Sequence, residues 1–288
     1  MIGMARPTIE KREDGLRWLV VKEGWSGEMA GLVRSGRVDG IELNSSKGTW
    51  PDGLAFLADV PGLRHLILLD LQEEDVGAIQ NLTQLESLSL STYATSDFDF
   101  ARLPKLRKAF VEWRKQYRNL SACKNLEELY LNRFCEGDAA ALRPLVRLSK
   151  LSIGDSRAFS ALQGIEGMTA LRYLGLFGLP KLHDLGPLES VGASLEVLKV
   201  NQCRYLTSLE PVGKLRGLRT LILEDCGKVA SLRPVAGLPL LEVLYFYGDT
   251  DVVDGDLEFL RTVSLKAVAF KNRRHYPLRR EELHAFRP

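Results

Sequence analysis

The sequence has few of the residues on which catalysis and metal binding usually depend. Only four histidines and four cysteines occur among 288 residues, and no Cys-x-x-Cys pair or cysteine–histidine set has zinc-ligand spacing. The motifs Gly-x-Ser-x-Gly, Gly-x-x-x-x-Gly-Lys and His-Glu-x-x-His are also absent. We therefore predict no enzymatic activity, no metal site and no cofactor.

Strong charge imbalance and long apolar runs are missing as well. The formal net charge is +2, and the first residues, MIGMARPTIEKREDG, lack the apolar run of a secretory signal. No stretch approaches the length of a membrane span. A hydrophobic content of 45% with 26% charged residues is typical of a protein that forms a core. We expect a cytoplasmic, monomeric protein without membrane contact.

A repeated unit fills nearly the whole chain. In its clearest part, four positions recur after 23 residues: Leu195, Leu198, Val200 and Cys203, then Leu218, Leu221, Leu223 and Cys226. The frame Leu-x-x-Leu-x-Leu fits twelve starting positions, which are Leu16, Val38, Leu63, Leu85, Leu106, Leu126, Leu148, Leu171, Leu195, Leu218, Leu241 and Leu265. A fixed period of this size predicts a solenoid whose units bury their apolar side by stacking.

Each frame predicts a short strand with one buried face, because the last two apolar positions alternate with exposed ones. Strands that all run the same way form a parallel sheet. Prolines in the connections, such as Pro187, Pro211 and Pro234, favour a short 3₁₀ or α segment because their φ is preset for a first helical turn.

The pattern resembles the leucine-rich repeat family over residues 16–273, and the compact connections look like its internalin-like class. The resemblance implies an α/β fold, a curved horseshoe-shaped solenoid with a parallel sheet on its concave face and 3₁₀ or α segments on its convex face. We expect a single domain with an N-terminal cap at 1–15, about twelve repeats of 22–24 residues, and a C-terminal cap at 274–288.

The caps have signals of their own. Asp14-Gly15 lies between two strand-like segments and favours a hairpin, which predicts an antiparallel capping strand. At the other end, Leu278, Leu283 and Phe286 have near-helical spacing and predict a short amphipathic helix over residues 277–286.

Two smaller features have competing interpretations. Cys203 and Cys226 hold the same place in consecutive repeats, so a disulfide is geometrically allowed, whereas a reducing cytosol favours two buried thiols. The acidic segment 248–256 resembles a calcium loop but lacks the required ligand register. We expect Asp254 or Asp256 to cap a helical turn at residues 257–260 instead.

Aromatic and polar side chains occupy positions that should point out of the sheet. Tyrosine and tryptophan are enriched at binding hot spots, which favours a protein-binding surface on the concave face. The alternative is that these rings only pack on one another across strands. The predicted set is Phe110, Glu112, Trp113, Tyr130, Asn132, Tyr173, Phe177, Tyr245 and Tyr247, interleaved with Arg133, Lys199 and Glu224. Trp18 stands at an equivalent position, and Arg273, Arg274 and His275 form a second surface near the C-terminus.

Charge is segregated along the chain. Residues 66–101 contain acidic residues and no Lys or Arg, whereas residues 102–124 are strongly basic. One interpretation is that the acidic and basic side chains of neighbouring repeats neutralise each other on a solvated surface. The functional alternative is nucleic-acid binding by the basic stretch, with Phe110, Trp113 and Tyr117 stacking on bases. The near-neutral net charge argues against it.

The leading functional hypothesis is a non-enzymatic scaffold that binds a partner protein in its concavity, as resemblance to leucine-rich repeats implies. The segments DVVDGDLEFL and VAFKNRRHY also look similar to the C-terminal repeats of bacterial cytosolic leucine-rich repeat proteins. That likeness implies a toxin-neutralising or regulatory role.

Overall fold

The computed structural model describes residues 7–50 and 53–283, and it divides the chain into two compact units, Met1–Leu131 and Asn132–Pro288. Both units are built from one kind of rung, which consists of a short strand, a turn and a connecting segment. Strands β1 to β9 begin in the first unit and β10 to β17 belong to the second.

In the first unit the main sheet has the order β1-β2-β3-β4-β5-β7-β9, while β6 and β8 form a small separate ladder. β1 is antiparallel to β2, and the following pairs from β2 to β7 are parallel. The strands are β1 Thr8–Lys11, β2 Arg17–Val20, β3 Gly40–Asn44, β4 His65–Leu69, β5 Ser87–Ser91, β6 Phe98–Asp99, β7 Lys108–Glu112, β8 Tyr117–Arg118 and β9 Glu128–Asn132.

In the second unit the main sheet has the order β10-β11-β12-β13-β15-β17, all parallel, and β14 pairs with β16. The strands are β10 Lys150–Gly154, β11 Tyr173–Phe177, β12 Val197–Asn201, β13 Thr220–Glu224, β14 Lys228–Val229, β15 Val243–Tyr247, β16 Asp251–Val252 and β17 Ala267–Phe270.

The predicted frame is confirmed, because every one of its twelve starting positions leads into a strand of a main sheet. β12, for example, begins two residues after Leu195. The register places Leu198 beside Leu221 and Leu221 beside Leu244, and all three are fully buried. Side chains of the same kind therefore stack from rung to rung, at the 4.7–4.9 Å spacing typical of neighbouring strands.

The connections are mostly single 3₁₀ turns, as predicted, with Pro187, Pro211 and Pro234 in the first turn of theirs. One α-helix, α1 at Gly27–Arg34, was not predicted; the hydroxyl of Ser26 accepts the Met29 amide and caps it. The 3₁₀ segments are Ala55–Asp59, Gly77–Asn81, Phe100–Arg102, Leu120–Ala122, Ala140–Leu142, Gly186–Val191, Glu210–Lys214, Arg233–Val235, Glu258–Arg261 and Arg280–Glu282.

The N-terminal hairpin is confirmed, since Gly15 adopts a φ of 81° between the antiparallel strands β1 and β2. The C-terminal prediction is wrong for the described residues. Only one 3₁₀ turn, Arg280–Glu282, forms there, while Tyr276 and Leu278 are buried in irregular backbone, Tyr276 after a turn and Leu278 in a bend. Phe286 lies outside the described residues. The buried side chains of Tyr276 and Leu278 thus cover the end of the core, where an amphipathic helix was expected.

The turn that follows each of β10, β11, β12, β13 and β15 begins with a left-handed residue. Asp155, Gln202 and Asp225 have φ between 45° and 53° without being glycine. Their amide groups donate to the last carbonyl of the next strand, for example from Gln202 to Glu224 at 2.9 Å. These bonds offset the cost of the left-handed conformation, which is about 1–2 kcal/mol per non-glycine residue.

Cys203 and Cys226 are both free thiols. Each buried Sγ lies 3.3–3.4 Å from the carbonyl oxygen two residues earlier, those of Asn201 and Glu224 respectively. In the next rung Thr250 takes the place of the cysteine, one residue later than the frame predicts. Its hydroxyl donates to the Leu223 carbonyl and accepts a hydrogen bond from the Cys226 amide. Each thiol therefore donates a hydrogen bond within its turn, and a disulfide would remove that donor.

We predict that Gly248→Ala lowers the free energy of unfolding by about 1–3 kcal/mol. Gly248 has a φ of 66°, and an added Cβ would lie 2.1 Å from Oδ1 of Asp225, which accepts the Asp249 amide. Gly237→Ala is the matched control, because a Cβ there meets nothing within 4 Å. Chemical denaturation of both variants measures the difference, and equal stabilities would contradict this account of the turn.

We also predict that a thiol reagent modifies one cysteine in the folded protein and four after denaturation. Burial raises the pKa of Cys123 and Cys203 to about 12 and that of Cys226 to about 11, so almost no thiolate exists at pH 8. Cys135 is exposed. Rapid reaction of two or more thiols under native conditions would show that the rungs open locally.

Candidate functional site: the exposed sheet faces

Alternation along the strands of the second unit produces an exposed face beside the buried leucines. In β12, β13 and β15 the first, third and fifth residues are partly exposed, and in β11 the first and fifth are, while Gly175 at the third place is buried. We call the following set the second-unit face: Tyr173, Gly175, Phe177, Val197, Lys199, Asn201, Thr220, Ile222, Glu224, Val243, Tyr245 and Tyr247.

The rings of β11 lie close against this face. A Cβ on Gly175 would be 2.5 Å from the ring of Phe177 and 3.0 Å from Oγ of Ser152, so the missing side chain makes room for the ring. The ammonium group of Lys199 lies 5.7 Å from the centre of the Tyr173 ring. Burial raises the pKa of Tyr173, and a hydrogen bond with Ser152 opposes that rise. β11 therefore presents ordered rings.

A polar row continues from Phe177 across the next strands. The register aligns Phe177, Asn201, Glu224 and Tyr247 in successive rungs. The Asn201 amide donates to the Glu224 carboxylate at 2.7 Å. Partial burial raises the pKa of Tyr247, and the neighbouring Glu224 charge raises it further. Hydrogen bonding within this row holds the Glu224 carboxylate in place between the Asn201 amide and the Tyr247 side chain.

The sequence predicted the aromatic members of this face together with Lys199 and Glu224, and it missed Asn201. Ser152 on β10, beside the face, was not among the predicted residues either. The same alternation that identified Tyr173 would have found them. Their contact with the rings depends on strand register, which the repeat period could have supplied.

The predicted residues of the first unit divide into two groups. Phe110 is 47% exposed, and its ring stacks on Tyr130 with centroids 6.5 Å apart. Trp113 is only 8% exposed and packs in the core on Phe100 at 5.9 Å and Tyr117 at 6.0 Å. The expectation that Trp113 is exposed is wrong, because the turn after β7 folds its ring inward.

Other predicted positions are also partly covered. Trp18 is 3% exposed beneath the Arg12 guanidinium, which lies 4.6 Å from its ring centre. Glu112 exposes 11% of its side chain and lies 3.8 Å from Arg114. Asn132, at the end of β9, is half-buried. Among the predicted residues of the first unit, Phe110 on β7 and Tyr130 on β9 therefore form the accessible aromatic pair.

The second predicted surface is largely structural. Arg273 forms an ion pair with Asp251 at 3.1 Å and donates to the Thr250 carbonyl, and His275 lies 3.4 Å from the same carboxylate. The hydroxyl of Tyr276 donates to the Asp251 carboxylate, and burial raises the pKa of Tyr276 to about 12. Arg274 is exposed. Two of the three predicted residues thus fasten the last turn to its neighbour.

The basic stretch of the first unit is compensated by neighbouring rungs. Arg107 pairs with Glu127 at 2.8 Å, Lys108 with Glu128 at 3.1 Å, and Arg118 with Asp99 at 3.6 Å. Tyr117 is 4% exposed, and Trp113 is buried beside it. Two of the three rings expected to stack on bases are therefore inaccessible, and the geometry behind the nucleic-acid hypothesis is not present.

The acidic segment of the second unit does not cap a helical turn, so that prediction is wrong. The Asp254 carboxylate accepts the Asp256 amide, and Asp256 pairs with Arg233 of the preceding rung. The 3₁₀ turn Glu258–Arg261 has no side-chain cap. Residues 7–50 and 53–283 contain no cluster of three or more His, Cys, Asp or Glu placed to hold a metal ion.

None of the helices in the described part of the chain has the length and apolar character that a bilayer span requires. No known family model matches the sequence, and no curated protein matches it either. Similarity is found among solved structures.

An internalin of Listeria monocytogenes, InlF, aligns with a TM-score of 0.62 at 15% identity, covering 90% of this chain and 83% of the internalin. The Leptospira interrogans leucine-rich repeat protein LIC12759 aligns with a TM-score of 0.65 at 17% identity, covering 87% and 65%. The plant peptide hormone receptor RGFR1, solved in complex with RGF2, aligns with a TM-score of 0.52 at 16% identity, covering 91% and 45%. The fold is that of an internalin-like leucine-rich repeat protein.

Proposed function

We propose that this internalin-like leucine-rich repeat protein is a non-enzymatic scaffold that binds a partner protein on the second-unit face. The observation that carries the proposal is the array of half-exposed rings and ordered polar groups on β11 to β15. Tyr173, Phe177, Tyr245 and Tyr247 supply aromatic area, while Lys199 and Glu224 supply charge of both signs.

The composition of this face matches that of protein interfaces. Tyrosine contributes a large contact area at a small cost in side-chain entropy, and it is enriched among residues whose truncation weakens binding most. The packing of Phe177 over Gly175 and the hydrogen bond from Asn201 to Glu224 hold the surface in one arrangement before binding. Such preorganisation reduces the entropic cost of association.

The fold supports the same proposal by analogy. A plant receptor with a related solenoid was solved in complex with RGF2, and solenoids present long surfaces for recognition. Fold alone does not establish function, so the proposal depends on the residues of the face. A cytoplasmic location and a toxin-neutralising or regulatory role remain predictions that the identity of the partner would test.

We predict that a variant with Tyr173→Ala and Tyr245→Ala loses affinity for the partner by about 2 kcal/mol or more per hot-spot residue. The partner is captured from the source cells with the unaltered protein, identified by mass spectrometry, and titrated by calorimetry. Both tyrosines lie outside the leucine core, so the melting temperature should change little.

The matched control is Glu189→Ala with Lys214→Ala. Both residues are exposed on 3₁₀ segments, remote from the strands that form the face. Glu166 is a poorer choice, because its carboxylate accepts the Gly164 amide at 2.7 Å. If the control pair abolishes binding while the tyrosine pair does not, the rings only pack on the sheet and the functional surface lies in the connections.

A further inference from the structure

The second unit contains a cleft of about 1040 Å³ at the ends of its strands, separate from the second-unit face. Its floor is formed by the left-handed residues that follow β10, β11 and β12. Arg157, Pro180, Arg204 and Tyr205 line it, and Cys135 opens into it. A cleft of this volume is at the upper end of the range typical of ligand sites.

Two positive charges in this cleft have no partner in the described part of the chain. Arg157 and Arg204 are exposed, and neither forms an ion pair or a side-chain hydrogen bond there. Several other arginines of the unit pair with a carboxylate of a neighbouring rung, as Arg172 does with Glu196 and Arg219 with Glu242. No described carboxylate pairs in this way with Arg157 or Arg204.

The lining includes one acidic residue, Asp155, and a third guanidinium, Arg133, which already has an interaction of its own. The Asp155 carboxylate lies against the next rung, since a Cβ on Gly178 would be 2.5 Å from its Oδ1. The charged side chains that line the cleft therefore favour an anionic ligand.

The repeat sets the spacing of the two free charges. Arg157, Pro180 and Arg204 each stand two residues after the left-handed residue of their rung, so they follow one another along the stack. Because neighbouring strands are about 4.8 Å apart, the backbones at Arg157 and Arg204 are separated by roughly 10 Å. Pro180 between them has no charge, and Tyr205 beside them is 68% exposed.

We propose that this cleft binds an acidic peptide segment in a polyproline II conformation, with two carboxylates three residues apart. Such a segment rises about 3.1 Å per residue and turns once in three residues, so positions i and i+3 lie on one side about 9 Å apart. Each guanidinium donates two hydrogen bonds to one carboxylate. Pro180 and Tyr205 contact the intervening residues, as aromatic-lined grooves do with proline-rich ligands.

The test uses synthetic fluorescent peptides and fluorescence anisotropy at low ionic strength. The probe peptide repeats Glu-Pro-Pro-Glu, and its control repeats Gln-Pro-Pro-Gln. We expect saturable binding of the first, weakening with added salt, and none of the second. Equal binding of both peptides, or no binding of either, would overturn the proposal.

Variants locate the site. R157Q and R204Q should each weaken binding about tenfold, because each removes one charge-assisted pair. R143Q is the matched control, since Arg143 is exposed at the end of the 3₁₀ turn Ala140–Leu142 and outside the cleft lining. Binding that falls equally in all three variants would mean a diffuse charge effect and would overturn the assignment.

The reactivity of Cys135 allows binding in the cleft to be measured directly. Cys135 is exposed in the lining, and the other three thiols are buried. The Glu-Pro-Pro-Glu peptide should slow the reaction of Cys135 with a thiol reagent at least several-fold, and the glutamine peptide should not. An unchanged rate at saturating peptide would place the binding elsewhere and contradict the proposal.

Two further ligands test the chemistry. A peptide of alternating Glu and Pro, whose carboxylates are separated by two, four or six residues and never by three, should bind more weakly, and equal affinity would overturn the spacing argument. Single-stranded DNA that binds while the acidic peptide does not would assign the cleft to phosphates instead. Changing Tyr173 and Tyr245 should leave peptide binding unaltered, so failure here is distinguishable from failure of the proposed function.

Discussion

Stacking of identical apolar positions is the constraint on which the rest of this structure depends. A single rung has no other element of its own that could cover its leucines. Leu198 is therefore covered by the neighbouring rungs, by Leu221 on one side and by β11 on the other. Each rung therefore has to repeat the same strand length and turn. The first strand and the last turn need separate closure, which the β1 hairpin and the buried Tyr276 provide.

The turn that permits this stacking also determines where polar side chains stand. A left-handed residue after each of β10, β11, β12 and β13 directs its amide to the next rung and brings the chain round towards the connecting segment. The residue two positions later then falls at the same place in each of these rungs. Arg157 and Arg204 are aligned for this reason, so the geometry that closes the core also builds the cleft.

Aromatic side chains show how one strand pattern leads to different outcomes. Tyr173 and Phe177 stay at the surface, where the missing side chain of Gly175 leaves space for the Phe177 ring. Trp113, just after β7, is drawn into the core by Phe100 and Tyr117, which the small β6–β8 ladder brings beneath it. Burial in a repeat protein thus depends on the turns as well as on the strands.

The sequence by itself determined the number of rungs, the strand positions, the N-terminal hairpin and the 3₁₀ connections that contain proline, because these depend on local periodicity and on restricted backbone conformations. Only the tertiary structure decided that Trp113 is buried, that Asp251 gathers Arg273 and His275, and that Arg157 and Arg204 share a cleft. These arrangements involve side chains of separate rungs that follow irregular turns. The packing of the turns decides where each side chain points, and the sequence of a single repeat does not encode that packing.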